Sequence, residues 1–434
     1  MKMNKKLVAV SMLLAVKSAF AQTAPSSIEI YGMIDVGIGH SSHSPSEDYS
    51  YPASMTPLAS KFGNHSVTGM FNGGEGATRI GFRGTEGIDS DLKAIFNLET
   101  GFEPQFGTLA NGINSLQRNT STNQTTVDGD SSLNGQLFNR QANVGLQSNT
   151  FGTILAGRNY TLGQDTMVAY DPMDGSQVFS PFGYSGSYAG GGFTGNLRLD
   201  NSVRWKYISK TQGWNVGALY KFGGQTGSTS AQTSYQATAG YVNGGFGIQG
   251  GYEKYKDALS AASSATIGTL NLTAADTEAY MIAAGYKMDN SLHFRGGYQR
   301  QKFDNPSNPD LDKGITTIYG ATVGTVSTTA FTHERKYDIF FGGVNYDFTP
   351  AFTASVAVYQ INQNDYSAGT CTTGTNVSSC GGKSRYYSIR GDYSLSKRTA
   401  VYAGFMQNHV NGGFGSGFLQ TSNNILGLGI NHKF

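Results

Sequence analysis

The stretch Leu426-Gly427-Leu428-Gly429-Ile430-Asn431-His432-Lys433-Phe434 puts Leu426, Leu428, Ile430, His432 and Phe434 on one side of an extended chain. Gly427, Gly429, Asn431 and Lys433 fall on the other. Such alternation is the pattern of a strand with one face in an apolar medium. A strand of this kind ending on an aromatic residue is how a transmembrane β-barrel closes, and Phe434 is read as its assembly signal. The opposite end agrees. Met1 to Ala21 carries Lys2, Lys5 and Lys6, then an apolar run from Leu7 to Val16, then the small-residue site Ala19-Phe20-Ala21. This pattern predicts a secretory signal peptide over 1–21 and a barrel over 22–434. The apolar run is too short to cross a bilayer as a helix.

Export changes how the charge is read. Four of the 31 basic residues (Lys2, Lys5, Lys6 and Lys17) fall in the signal, which leaves 27 against 29 acids in the mature chain. A net charge of about −2 carries no footprint for nucleic acid. With 59 Gly, 25 Tyr, 25 Phe and 14% charged residues, the composition is unlike that of a soluble α/β enzyme. It suits an antiparallel barrel, where Tyr and Phe form interfacial girdles and small residues relieve crowding on tilted strands.

Runs of period two number about sixteen, near 28–40, 76–84, 91–103, 138–148, 152–160, 199–209, 213–222, 233–243, 246–256, 276–288, 291–303, 334–347, 351–363, 384–395, 398–410 and 423–434. Short turns (85–90, 149–151, 210–212, 243–245, 289–290, 348–350 and 396–397) alternate with long loops (41–75, 104–137, 161–198, 223–232, 257–275, 304–333, 364–383 and 411–422). A transmembrane barrel sorts its loops in this way, with short turns on the periplasmic side, and a soluble sandwich has no reason to. The expected fold is one all-β domain, a 16-stranded antiparallel barrel.

Alternation also assigns faces. Ile28, Ile30, Ile34, Val36 and Ile38 point to lipid, with Glu29, Tyr31, Met33 and Asp35 to the lumen. In the same way Ile80 and Phe82 point out while Arg79 and Arg83 point in. Lys93, Asn97 and Glu99 oppose Leu92, Ala94, Phe96 and Leu98, and Arg204 and Lys206 oppose Val203, Trp205 and Tyr207. A charged inner wall means a water-filled interior, unlike the greasy interior of a small ligand-binding barrel.

Six segments carry a family resemblance: Ile30-Tyr31-Gly32-Met33-Ile34-Asp35, Thr78 to Glu86, Leu92 to Glu99, Arg140 to Leu146, Phe151 to Arg158 and Asp200 to Arg204. Together, and in order, they resemble the Gram-negative general porins of the neisserial and β-proteobacterial type. The resemblance implies a sixteen-stranded homotrimer in the outer membrane, among lipopolysaccharide, that passes ions and small hydrophilic solutes passively, with no cofactor. Asn431 stands where the family usually carries Arg, and Ser209-Lys210 where many members have Ser-Pro.

In such porins the third long loop folds into the barrel and sets acids against basic side chains on the wall. Here that loop offers Asp165, Asp171 and Asp174. The basic candidates are Arg79, Arg83, Arg204, Lys93, Lys206, Arg140 and Arg158. The resemblance puts constriction arginines at Arg79, Arg140 and Arg204. Alternation agrees for Arg79 and Arg204 but gives Arg140 the phase of Ala142, Val144 and Leu146, facing outward. An excess of bases at the narrowest point predicts a pore that leans to anions.

Cys371 and Cys380, in the seventh long loop, are expected to form a disulfide in an oxidising compartment. His40 and His43, and the acids Asp304, Asp310 and Asp312, are read as solvated loop residues, with no metal site. Outer-membrane hydrolases are also barrels, but the seven histidines are scattered and only His293 has inward phase on a strand, without a nucleophile motif. The chain is therefore read as no enzyme. A substrate-specific channel, with Tyr184 and Tyr188 as the start of an aromatic slide, and an adhesin or receptor barrel are the alternatives.

Overall fold

A strand in lipid has one way to satisfy its backbone, which is to pair on both sides until the sheet closes on itself. The computed structural model describes residues 26–44, 65–105, 107–109, 137–182, 198–209, 211–224, 227–256, 259–261, 272–274, 276–289, 291–305, 315–318, 321–326, 333–371, 379–413 and 420–434. The expected export signal, Tyr184, Tyr188, Asp310 and Asp312 lie outside the described residues.

In chain order the strands are β1 (Ser27–Ser44), β2 (His65–Asn72), β3 (Arg79–Gly87), β4 (Leu92–Glu103), β5 (Thr108–Leu109), β6 (Gln141–Ser148), β7 (Gly152–Tyr160), β8 (Arg198–Ile208), β9 (Trp214–Lys221), β10 (Ser234–Asn243) and β11 (Phe246–Tyr255). They continue as β12 (Leu259–Ala261), β13 (Leu272–Ala274), β14 (Asp276–Met288), β15 (Leu292–Asp304), β16 (Ile315–Ile318), β17 (Ala321–Val326), β18 (Arg335–Thr349), β19 (Phe352–Gln363), β20 (Gly382–Ser394), β21 (Thr399–Gly412) and β22 (Ser422–Lys433). Among the described residues one helix, α1 (Leu162–Tyr170), lies in the third long loop and is far too short to span a bilayer. Neighbouring wall strands pair antiparallel, and β22 returns to β1 from Met33↔Lys433 to Ser41↔Ile425. The result is a closed barrel of 16 strands. Phe434 completes the seam: its N–H donates to the carbonyl of Gly32 and its carbonyl accepts from the Gly32 N–H, both at 3.1 Å. The hairpins β12–β13 and β16–β17 sit in long loops, outside the wall.

One wall strand departs from expectation. Instead of a single strand over 76–84, β1 pairs with β3 over its first half and with β2 over its second. Residues 73–78 leave the wall between the two pieces. The cause is Asp35, fully buried on the inward side of β1. A carboxylate there needs donors, and the backbone N–H groups of Gly74, Glu75 and Gly76 turn in to supply them at 3.2, 2.7 and 2.9 Å.

A second departure concerns the inner wall. It is not charged all the way round: on one side, charged residues share it with a large apolar patch. Met281, Ile339, Phe341, Tyr359, Ile361 and Tyr402 face inward and are buried with Phe71, Phe179 and Phe182 in an apolar core inside the barrel. That patch is dry because the third loop covers it.

Outside, the strands from β8 to β20 carry two rings of aromatics. Tyr235, Tyr280, Phe340 and Tyr387 lie toward the long-loop rim, and Tyr241, Tyr286, Tyr346 and Tyr393 lie six positions away toward the short-turn rim. Six residues span about 20 Å along a strand, close to the height of a lipid-facing band between interfacial girdles. Val356 on β19 is paired with Val344, which lies between Phe340 and Tyr346, and it faces lipid. Val356→Arg is expected to cost about 2–4 kcal/mol, the penalty of a cation near the midplane, when unfolding of the refolded barrel is followed in urea. An unchanged unfolding curve would mean that the two faces have been exchanged.

Candidate functional site

The third loop begins where β7 ends. The Thr161 hydroxyl caps α1 by accepting from the Gln164 N–H at 3.1 Å, and the Leu162 N–H donates to Gln236 Oε1 on β10 at 2.8 Å. Both bonds satisfy donors that a helix start leaves open. Asp165 sits in the first turn, where a carboxylate is favoured by the helix dipole.

Beyond α1 the chain is fastened to the dry side of the wall at every turn. Asp171 accepts from Tyr359 Oη and from the N–H groups of Met173 and Gly175. Asp171 lies on the loop and not on a spanning strand, and its burial pushes the carboxyl up from its ordinary value. The Pro172 carbonyl accepts from Asn345 at 2.7 Å and from Arg295 at 3.1 Å, and the Met173 carbonyl from Arg390 at 3.0 Å. Asp174 bridges the two arginines, at 2.7 Å from Arg295 and 3.0 Å from Arg390. Ser176 Oγ and the Gln177 N–H then reach the carbonyls of Gly74 and Gly73 on the segment that leaves the wall. Phe179 packs between Phe71 and Tyr402, and Phe182 edge-on to Phe341 with ring centroids 4.9 Å apart. Glycines on the inner wall admit the loop: a Cβ on Gly343 would lie 2.7 Å from the Pro172 ring, and one on Gly217 2.9 Å from Leu162.

The described part of the loop, 161–182, thus lies along β9 to β21 and touches β8 through Asp165, and these residues leave uncovered the wall of β3, β4, β6 and β7. That wall is lined by two connected groups. In the first, Glu99 on β4 receives Arg140 at 2.7 Å, Tyr160 Oη at 2.8 Å and Tyr31 Oη at 3.0 Å, with Arg79 at 3.6 Å. The Arg198 guanidinium stacks on the Tyr160 ring, 4.7 Å from its centroid. In the second, Arg204 and Lys206 on β8 both bind Asp165, which is carried by α1 on the loop. A carboxylate bound by several cations in this way holds its neighbours in a fixed geometry. The cavity beside Arg204 and Lys206 is lined also by Lys93, Asp91 and Gln147.

The predicted residues therefore have distinct placements. Arg79, Arg140, Arg204 and Lys206 meet at the uncovered wall, with Lys93 toward the short-turn rim. The outward phase expected for Arg140 is corrected: the chain bends at 139–140, before β6 begins at Gln141, so the alternation of that strand does not reach it. Arg83 has inward phase but lies close to the short-turn rim, half-exposed, where it forms a bidentate pair with Glu29 at 2.8 and 2.9 Å. Arg158 is buried in the wall itself. A register shift between Gly157 and Asn159 turns it to Asp200 and the Asn139 carbonyl, away from the open lumen. Asp165 faces the basic wall, Asp171 is sealed beneath the loop, and Asp174 spends its charge on Arg295 and Arg390. His293 lines the lumen beside Lys287, Arg295 and Asp347. Inward phase on β15 and β20 was the signal for Arg295 and Arg390; Glu99 had been placed inward without being seen as a hub.

A barrel with a loop folded inward and a basic strip opposite is matched at the family level. The Gram-negative porin family model covers residues 8–413. The chain belongs to that family. The porin is 25% identical to an outer membrane porin protein of Bordetella pertussis over 455 aligned residues, all of both chains. It is 26% identical to outer membrane porin protein 32 of Delftia acidovorans over 266 residues, 60% of this chain and 63% of the other. Among solved structures, an anion-selective porin from Comamonas acidovorans shares the fold with a TM-score of 0.64 at 18% identity, over 94% of this porin and 100% of the other chain. The trimer form of OmpT of Vibrio cholerae has a TM-score of 0.57 at 13% identity, over 95% and 100%. The porin is an outer-membrane barrel, so its short turns face the periplasm and its long loops face outward. Cys371 and Cys380 form the expected disulfide, with Cα atoms 5.7 Å apart, in an outward loop.

Proposed function

We propose that this porin is a diffusion channel for ions and small hydrophilic solutes that leans to anions, and that it works as a homotrimer without catalysis. The uncovered wall carries the reading. Arg79, Arg140, Arg198, Arg204, Lys206 and Lys93 line or back it, and the carboxylates beside them are Glu99, Asp165 and Asp91. The surplus is positive, and it is fixed in place by the tyrosine and carboxylate contacts described above. A passing anion meets oriented cations that need no rearrangement, which is worth more than the same charges on mobile side chains.

The trimer is supported by the outer surface. The aromatic rings run from β8 to β20. Over β22, β1 and β3 the outward residues are aliphatic for the most part, among them Ile28, Ile30, Ile34, Ile38, Leu426, Leu428 and Ile430. A face poor in interfacial aromatics, with Phe82 and Phe434 among its exposed rings, suits protein neighbours better than lipid. Export through residues 1–21 and assembly through Phe434 belong to the same reading, the latter because Phe434 pairs with Gly32 across the seam.

The test is conductance of purified porin in a planar bilayer, with the reversal potential recorded across a salt gradient. Openings in groups of three and a potential displaced toward the anion equilibrium value are expected. No conductance from folded protein would turn attention to receptor or rim-located roles.

A further inference from the structure

Beneath the third loop, on the periplasmic side, the lumen keeps a cavity of about 390 Å³ across from the basic wall. Its roof is Glu75 on the segment that leaves the wall, Asp174 on the loop and Asp392 on β20. Its lip, toward the short turns, is Lys287 at the end of β14, Lys397 and Arg398 in the turn after β20, and Lys433 at the end of β22.

The charges are sorted between these two levels. At the roof Asp174 is taken by Arg295 and Arg390, and Asp392 Oδ2 accepts from Arg390 Nε at 2.9 Å. Asp392 Oδ1 and Glu75 Oε1 are left buried without a hydrogen-bond donor among the described residues. Burial, then the nearby Asp392 and Asp35 carboxylates, push the Glu75 carboxyl up to about 7 against the pull of Arg390 and Lys433. Such a group is a negative charge short of a partner. At the lip the four bases are exposed, and none has an ion pair among the described residues. The carboxylate at that level is Asp347, which accepts from Thr353 Oγ1 at 2.6 Å, and His293 stands beside it. The roof therefore lacks a cation and the lip lacks an anion.

The hydrogen bonds around Asp35 set the distance between them. Asp35 Oδ2 accepts from the Glu75 N–H at 2.7 Å and from Asn431 Nδ2 at 3.2 Å, so Glu75 and Asn431 share one level. Lys433 lies two residues further along β22, about 7 Å toward the periplasm. Two residues of extended peptide span about 7 Å. A dianion would bring a like charge to the roof and a diamine one to the lip, whereas an ammonium at one end and a carboxylate at the other satisfy both.

We propose that this cavity, with Glu75 and Asp392 above and Arg398 and Lys433 below, is a binding site for short zwitterionic peptides of the dipeptide class, held with the ammonium at the roof and the carboxylate at the lip. The site belongs to the barrel and its folded loop and does not depend on the ion preference of the pore.

The test measures the dissociation constants of alanyl-alanine, N-acetyl-alanyl-alanine and alanyl-alanine amide for detergent-solubilised porin at neutral pH and low salt, by saturation-transfer NMR of the alanine methyl groups. Wild type is expected to bind the free dipeptide about fivefold more tightly than either capped form, the worth of one partly solvated ion pair. Glu75→Gln should remove most of the advantage over the acetylated form and keep the advantage over the amide. The double variant Arg398→Gln with Lys433→Gln should do the reverse. Equal binding of the three compounds by wild type would overturn the proposal whether or not any variant folds. So would a folded Glu75→Gln porin that binds as wild type does, which would put the peptide at another site such as the basic wall. Conductance recorded on the same preparation tests the pore separately, and peptide binding without conductance would count against the channel alone.

Discussion

A double variant, Arg204→Gln with Lys206→Gln, is expected to lose about an order of magnitude of preference for anions over cations. A unit charge about 6 Å from a passing ion in water is worth ~0.7 kcal/mol, roughly threefold in relative permeability, and two such charges multiply to about tenfold. Both side chains are partly open to solvent and share one partner, Asp165. Removing them leaves that carboxylate uncompensated, which is the same shift toward cations seen from the loop side. The reciprocal change, Asp165→Asn, frees both bases and should move the reversal potential the other way by about threefold. High salt should compress both effects, since the Debye length falls to about 3 Å at 1 M. If neither variant moves the reversal potential at low salt, these three residues only pin the loop and do not face the permeating ions.

Asp35→Ala should be the most destabilising single change in the barrel. Asp35 accepts from three consecutive N–H groups, from Tyr402 Oη at 2.5 Å and from Asn431 Nδ2 at 3.2 Å, all in a site with no exposure. Alanine leaves these donors buried without a partner at about 1–3 kcal/mol each before relaxation. With part of the site refilled by water, a net loss of about 3–5 kcal/mol is expected in urea unfolding. Because the same segment carries the carbonyls that Ser176 and Gln177 hold, the third loop should loosen and single-channel current should become larger and noisier. A variant with wild-type stability and steady current would show that Asp35 is not the post of this structure.

What could be read from the chain followed from what alternation can carry. Where a strand runs unbroken, parity fixed the direction of Arg79, Arg204 and Lys206, and loop lengths fixed the barrel. It failed where the backbone leaves the strand. The bend before Gln141 reversed Arg140, and the register shift at Gly157 sent Arg158 into the wall. Asp171 and Asp174 sit three residues apart in irregular chain, and only the turn between them, with Asp174 and Gly175 at positive φ, buries one and extends the other to two arginines. The break between β2 and β3 had a trace in Gly73-Gly74-Glu75-Gly76, yet its cause is Asp35, some forty residues earlier. The dry half of the inner wall was hidden because inward apolar residues look the same whether they meet lipid or a folded loop.

The segment at 73–78 also sets an order of events. It is fixed by Asp35 from the first strand, Tyr402 from the penultimate strand and Asn431 from the last, a contact that spans 396 residues. Contacts of that separation form late. Until the two ends of a nascent barrel have met, the inner loop is held only by the middle strands, through Gln236, Arg295, Asn345, Tyr359 and Arg390, and its anchorage to Gly73 and Gly74 comes with the closing of the seam.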